Sequence, residues 1–200
     1  MHDVEKTKAY KESSTLKPDR NEAVWPDRTV ALVGLMGAGK STVGRRLAQA
    51  MGRDFYDSDE EIEKAAGLAV SEIFSLHGEA EFRRGEQKVL ARLLDGPPHV
   101  LATGGGAYLN PETRDLMREK AITIWLAADL DTLWERVSKR SHRPLLQAEN
   151  PKQVLSDLFE ARQPIYELAD VKIDSVEGPH GKTVTSILDA LKRWPKVGND

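Results

Sequence analysis

The chain has 200 residues, 40% hydrophobic and 30% charged, a balance that predicts one soluble globular domain with a substantial core. Its 29 basic and 32 acidic residues leave a net charge of -3, so there is no strong basic field for wrapping nucleic acid. Cysteine is absent, which excludes a disulfide frame, a thiolate metal site and a cysteine nucleophile, and fits a reducing cytoplasm.

Residues 1–27 mix Lys, Glu, Asp, Ser and Thr with few apolar side chains and are expected to form a mobile tail. They lack the apolar core of a signal peptide, and their acidic residues argue against a transit peptide. No apolar run approaches the roughly 20 residues that span a bilayer. One domain is expected over 28–195, followed by a short tail at 196–200.

Short apolar runs then alternate with amphipathic segments. "TVALVGL" (29–35) predicts a buried strand, and the helix after it carries Val43, Leu47 and Met51 on one face and stops at Gly52. "DFYDSD" (54–59) predicts a second strand and "EEIEKAAG" a helix ending at Gly67, with Ser71 as the cap of the next turn. A longer helix over 79–95 turns Phe82, Val89, Leu90 and Leu93 inward, and "HVLAT" (99–103) is the third strand. Asn110-Pro111-Glu112 is a helix start, "AITIWLA" (121–127) the fourth strand, and Asp129 caps a helix to about Lys139. Residues 139–150 read as a loop, Asn150-Pro151 starts a helix to about Arg162, "DVKIDS" (170–175) is the fifth strand and "KTVTSILDALKRW" the last helix. Five strands separated by helices predict an α/β fold, a three-layer, doubly wound, five-stranded parallel sheet. Such sheets bind ligands at the carboxyl ends of their strands.

"GLMGAGKST" sits between the first strand and helix and fits G-x-x-x-x-G-K-[ST] through Gly34, Gly39, Lys40 and Ser41. A loop of this kind turns backbone N–H groups onto phosphate oxygens, with Gly37, Ala38, Gly39, Lys40, Ser41 and Thr42 as candidates. Lys40 would reach the β and γ phosphates and Ser41 would ligate Mg²⁺, so the expected ligand is ATP with magnesium.

Further features gain meaning beside such a loop. Asp57 and Asp59 share one side of an extended chain; they either serve Mg²⁺ and an acceptor hydroxyl, or form a polar strand end with Asp59 capping the next helix. Arg83 and Arg84 point about 100° apart on their helix; each either enters the pocket or pairs locally, with Glu79 and Glu81 respectively. Arg162 has only Phe159 and Leu158 at i-3 and i-4. Arg143 precedes Pro144 and is expected in an extended loop, either a lid that closes on the transferred phosphoryl group or an ordinary solvated loop. Gly104, Gly105 and Gly106 stand between a strand and a capped helix, where a tight turn or a ligand wall fits better than a linker.

The ordered set "GLMGAGKST", "FYDSD", "EFRRGE", "TGGGA", "RPLL" and "EARQPIY" resembles the shikimate kinase family over about residues 28–192. The resemblance implies a P-loop, nucleoside-monophosphate-kinase-like core that phosphorylates the 3-hydroxyl of shikimate with ATP, a step toward chorismate and the aromatic amino acids. It implies a cytoplasmic monomer with small-molecule substrates and no membrane or nucleic-acid partner. By motif, Asp59 would bind the shikimate hydroxyls and orient or deprotonate the attacking oxygen, and Asp57 would sit near Mg²⁺. Arg83 and Arg162 would grip the shikimate carboxylate, Gly104, Gly105 and Gly106 would line its ring, Arg143 would be the lid arginine and Arg136 would stack near adenine. Lys40, Asp59 and Arg143 would be the catalytic groups. On this reading a side chain at Gly105 occupies acceptor space, whereas Gln163 and Tyr166 are packing residues.

Overall fold

The computed structural model describes residues 25–139, 149–175 and 181–195. The expected N-terminal tail before residue 25, the lid segment 140–148 with Arg143, and the tail at 196–200 lie outside them.

The strands are β1 (Thr29–Val33), β2 (Phe55–Asp57), β3 (Val100–Ala102), β4 (Ala121–Ala127) and β5 (Val171–Asp174), all parallel, in the order β2-β3-β1-β4-β5. The helices are α1 (Lys40–Met51), α2 (Ser58–Ala66), α3 (Val70–Leu94), α4 (Pro111–Lys120), α5 (Leu130–Ser138), α6 (Pro151–Tyr166) and α7 (Gly181–Lys192). They cover both sides of the sheet, as an all-parallel sheet requires. Every residue of β1 is buried, which explains the apolar run Val30–Val33 that follows Thr29. The direction of winding reverses at β1, between β3 and β4, and there the P-loop emerges.

Local chemistry explains most element ends. Gly52 closes α1 in the left-handed region at φ 64°. The side chain of Asn110 caps α4 through the Glu112 and Thr113 amides, and Asp129 caps α5 through Thr132.

Three boundaries differ from expectation. β2 stops at Asp57, which caps α2 by accepting the Asp59 amide at 3.1 Å; the capping aspartate is therefore Asp57, and Asp59 lies in the first helical turn. Ser71 is not a cap: α3 begins after Ala69, whose N–H donates to the Glu72 carboxylate at 2.7 Å. A kink at Gly78 (φ 79°, ψ 172°) separates this first stretch from the expected helix. α6 continues past Arg162 and through Pro164 to Tyr166. Proline removes one donor but leaves the next residues free to keep helical dihedrals, and Glu167 N–H resumes the ladder on Gln163 O at 3.0 Å. Arg162 and Tyr166 thereby stand one turn apart on one face.

His99 is buried at the amino-terminal end of β3, edge-on to Tyr56. Its Nδ1 lies 2.9 Å from the Pro97 carbonyl and so carries the proton, while Nε2 has no partner among the described residues. Burial holds its pKa below the ordinary 6.5. The folded state thus prefers the neutral ring; this contribution is intact above the unfolded pKa and is lost as pH falls below it. Chemical denaturation should show wild type losing its advantage over His99→Leu between pH 7.5 and 5.5; a pH-independent gap would refute this.

Candidate active site

The phosphate cradle is built from the turn between β1 and α1. Gly37 and Gly39 take φ of 85° and 92°, a region that side chains rarely tolerate. Lys40 opens α1 and is 8% exposed, its Nζ donating to Gly34 O at 2.8 Å and Leu35 O at 3.0 Å. The ammonium is therefore already folded over the loop. Ser41 Oγ donates to Asp57 Oδ2 at 2.6 Å, which joins the cradle to the end of β2.

Asp59, one helical residue past Ser58, faces a more crowded space. Burial pushes its carboxyl pKa up, and the charge of Asp57 adds to this; Lys40 and Arg83 pull the other way. Ser58 Oγ accepts the Gly104 N–H at 2.8 Å, tying α2 to the triple glycine.

The three glycines meet three different neighbours. A Cβ on Gly104 would lie 2.7 Å from Asp59 Oδ1 and 3.0 Å from Glu86 Oε1. A Cβ on Gly106 would lie 2.5 Å from Arg83 Nη2. A Cβ on Gly105 would approach the Met36 amide nitrogen at 3.3 Å, on the side of the P-loop. The Gly105 carbonyl accepts the Tyr166 hydroxyl.

Arg83 makes the expected pair with Glu79 at 3.2 Å, and a second with Glu86 at 2.8 Å. Arg84 pairs with Glu81 on the exposed side. The Arg83 side chain is 31% exposed while Glu86 is buried. Burial pushes the Glu86 carboxyl pKa up against the pull of Arg83, and its Oε1 has no partner among the described residues. Burial raises the Tyr166 phenol pKa, and the charges of Arg162 and Arg83 both reach the hydroxyl and pull it back. The two arginines thus converge on the edge of the glycine wall. Arg136 donates to Gly37 O at 3.4 Å and Ser175 Oγ at 3.2 Å, bracing the outside of the P-loop. Thr42 is half-buried in the first turn of α1.

The structure therefore brings together Lys40, Ser41, Asp57, Asp59, Arg83, Arg162 and Gly104–Gly106 at the carboxyl ends of β1, β2 and β3. Sequence reading missed Glu86, Tyr166 and Ser58. Glu86 was available as the i+3 partner of Arg83, and Tyr166 as the i+4 neighbour of Arg162, but only in a helix that crosses Pro164. Ser58 carries no comparable signal.

The sequence model described as shikimate kinase matches residues 36–192. The chain belongs to the shikimate kinase family. The shikimate kinase of Caulobacter vibrioides (strain NA1000 / CB15N) is 54% identical over 166 residues, covering 83% of each chain. The solved shikimate kinase of Acinetobacter baumannii, in complex with shikimate, is 41% identical with a TM-score of 0.78, over 82% of this chain and 92% of that one. A gluconokinase from Sinorhizobium meliloti 1021 superposes with a TM-score of 0.60 at 20% identity, over 85% of this chain and 94% of that one, a likeness of fold alone.

The raised Asp59 pKa has a sign that stability can test. An acid with a raised folded pKa opposes folding once ionised, increasingly as pH rises above its unfolded value near 3.8. Asp59→Asn should therefore melt at a higher temperature than wild type at pH 7.5 without ligands, and the gain should disappear near pH 3.5. A lower melting temperature at pH 7.5 would show that the carboxylate stabilises the fold.

Proposed function

We propose that the protein transfers the terminal phosphoryl group of ATP to the 3-hydroxyl of shikimate, giving shikimate 3-phosphate and ADP in aromatic amino-acid biosynthesis. The observation that carries this reading is the joining of a P-loop to a wall on which Asp59, Arg83 and Arg162 converge, in a chain of this family. ATP is the co-substrate.

Phosphoryl transfer asks for alignment and charge compensation more than covalent chemistry. The backbone amides of Gly37 to Thr42 would hold the phosphates, and Lys40 would exchange its carbonyl partners for phosphate oxygens. Arg83 and Arg162 are suited to a carboxylate because planar guanidinium groups bind it in pairs of hydrogen bonds. Glu86 and Glu79 hold the Arg83 guanidinium in place, and the Tyr166 hydroxyl supports the wall through Gly105. The acceptor ring would lie along Gly104–Gly106, with the 3-hydroxyl on Asp59. Oxygen attack forms the new P–O bond as the bond to the ADP oxygen breaks, and Asp59 takes the hydroxyl proton. A carboxyl with a raised pKa is well matched to that task. Arg143 would meet the charge on the transferred group, and Arg136, braced on the P-loop, would flank adenine.

Magnesium belongs to this reading through the donor set. Ser41 Oγ and the Asp57 carboxylate are hard oxygen donors side by side, and no group of three or more His, Cys, Asp or Glu residues that could hold a metal occurs among the described residues. Mg²⁺ bound mainly by phosphates and water needs no such cage. Ser41 would ligate the ion, Asp57 would hold its water, and the ion would supply positive charge to the phosphates. A cytoplasmic monomer acting on two small molecules completes the proposal, with no nucleic-acid or membrane partner.

ADP release from ATP should rise at least about 100-fold on adding shikimate, and the product should carry phosphorus on the 3-hydroxyl by ³¹P NMR. Turnover indifferent to shikimate would sink the assignment; gluconate in its place should do nothing. The glycine wall offers a second check. Gly106→Ala should displace the Arg83 guanidinium and raise KM for shikimate about tenfold, with KM for ATP within about twofold. Gly105→Ala should disturb ATP at least as much as shikimate, because its methyl meets the P-loop. The opposite ranking would place the acceptor elsewhere.

A further inference from the structure

β5 ends at Asp174, and the next residue, Ser175, is buried at 2% exposure. Its N–H donates to Ala127 O of β4 at 2.6 Å, so its position is fixed by the sheet. Its Oγ donates to Ala38 O at 3.0 Å and accepts from Arg136 Nη1 at 3.2 Å. A hydroxyl has one proton to give and two lone pairs, so both bonds form together. The same Arg136 nitrogen reaches Gly37 O at 3.4 Å.

The bond to the Ala38 carbonyl matters because it governs the adjoining Gly39 amide. In a planar trans peptide the carbonyl and the N–H point in opposite directions. Holding the Ala38 carbonyl outward, toward β5 and α5, turns the Gly39 N–H toward the concave side of the loop. Reversing that peptide changes ψ of Ala38 and φ of Gly39. Glycine accepts either sign of φ, so nothing in Gly39 itself selects the observed 92°. Ala38 N–H to Leu35 O at 3.2 Å and Val43 N–H to Gly39 O at 2.9 Å hold the flanking residues, and the Ser175 hydroxyl is bonded to the carbonyl of the peptide itself.

We propose that Ser175 is a positioning residue of the nucleotide site: its hydroxyl pins the Ala38–Gly39 peptide so that the Gly39 N–H faces a phosphate. It acts through the backbone and touches neither acceptor nor reacting atoms. The inference rests on the nucleotide half of the proposed function and is independent of the acceptor.

The test compares Ser175→Ala, Ser175→Cys and Ser175→Thr in the full chain, with ADP and Mg²⁺ titrated calorimetrically and KM for ATP and shikimate measured beside it. Ala removes the hydroxyl; Cys keeps the volume with a poor donor and guards against a packing defect. Both should bind ADP about 5- to 30-fold more weakly, the loss from leaving a buried carbonyl unpaired, with KM for shikimate within about twofold. Thr retains the hydroxyl and should bind ADP within about twofold of wild type. ADP affinity unchanged in Ala and Cys would overturn the proposal, as would parallel losses for ADP and shikimate together with a lowered melting temperature. Wild type that binds ADP but leaves shikimate unphosphorylated would remove the acceptor assignment and leave the ADP comparison intact. Wild type with no affinity for ADP would overturn both.

Discussion

A parallel strand buried on both faces holds polar side chains only where they find an internal partner, as Thr29 and Thr123 do, and that constraint governs the whole arrangement. β1 is sealed along its length, so the chain becomes chemically capable only where β1 ends. The strand order then determines what can gather there. β3 and β4 flank β1, and β2 lies beyond β3. The P-loop, the glycine triplet and the aspartate pair therefore arrive at one sheet edge from three separate stretches of sequence. The helix N-terminus at Lys40 adds the favourable end of its dipole.

The charges at that edge are balanced under tension. Two carboxyls, Asp59 and Glu86, approach the same point at Gly104, and burial raises both of their pKa values. Lys40 and Arg83 offset them only in part. Both cations are engaged with internal partners, Lys40 with loop carbonyls and Arg83 with two glutamates. On the proposed function, these are the bonds that a phosphate and a carboxylate would replace or share. Such a site opposes stability in its own interior, a familiar association between function and destabilisation.

Legibility in the sequence tracked the range of the interaction. The P-loop and the fourth strand were readable because motif spacing and apolar runs are local; Ala121–Ala127 has the expected bounds. Capping residues at Asn110 and Asp129 were readable for the same reason. The Arg83–Glu79 pair and the inward position of Arg83 looked like alternatives along the helix, yet both occur, because a fork with two terminal nitrogens serves two partners. Tyr166 passed as packing because its partner, Gly105, is 61 residues away. Ser175 had no local signal: its significance comes from Ala38, 137 residues earlier. Asp57 and Asp59 do not share an extended strand, since a helix begins between them.

The triple glycine is better understood as three independent points of contact than as one flexible tract. Its members face a carboxylate pair, the donor loop's backbone and a guanidinium. A change at one cannot be compensated at its neighbour, because the obstructions are chemically unlike and lie in different directions. On the proposed function, the middle glycine would make a single backbone the partition between the two substrate compartments. Widening the acceptor compartment through that residue would deform the donor compartment with it. On that reading, acceptor choice would be altered at side chains on α2, α3 and α6 rather than at the partition, because there one compartment can be reshaped without the other.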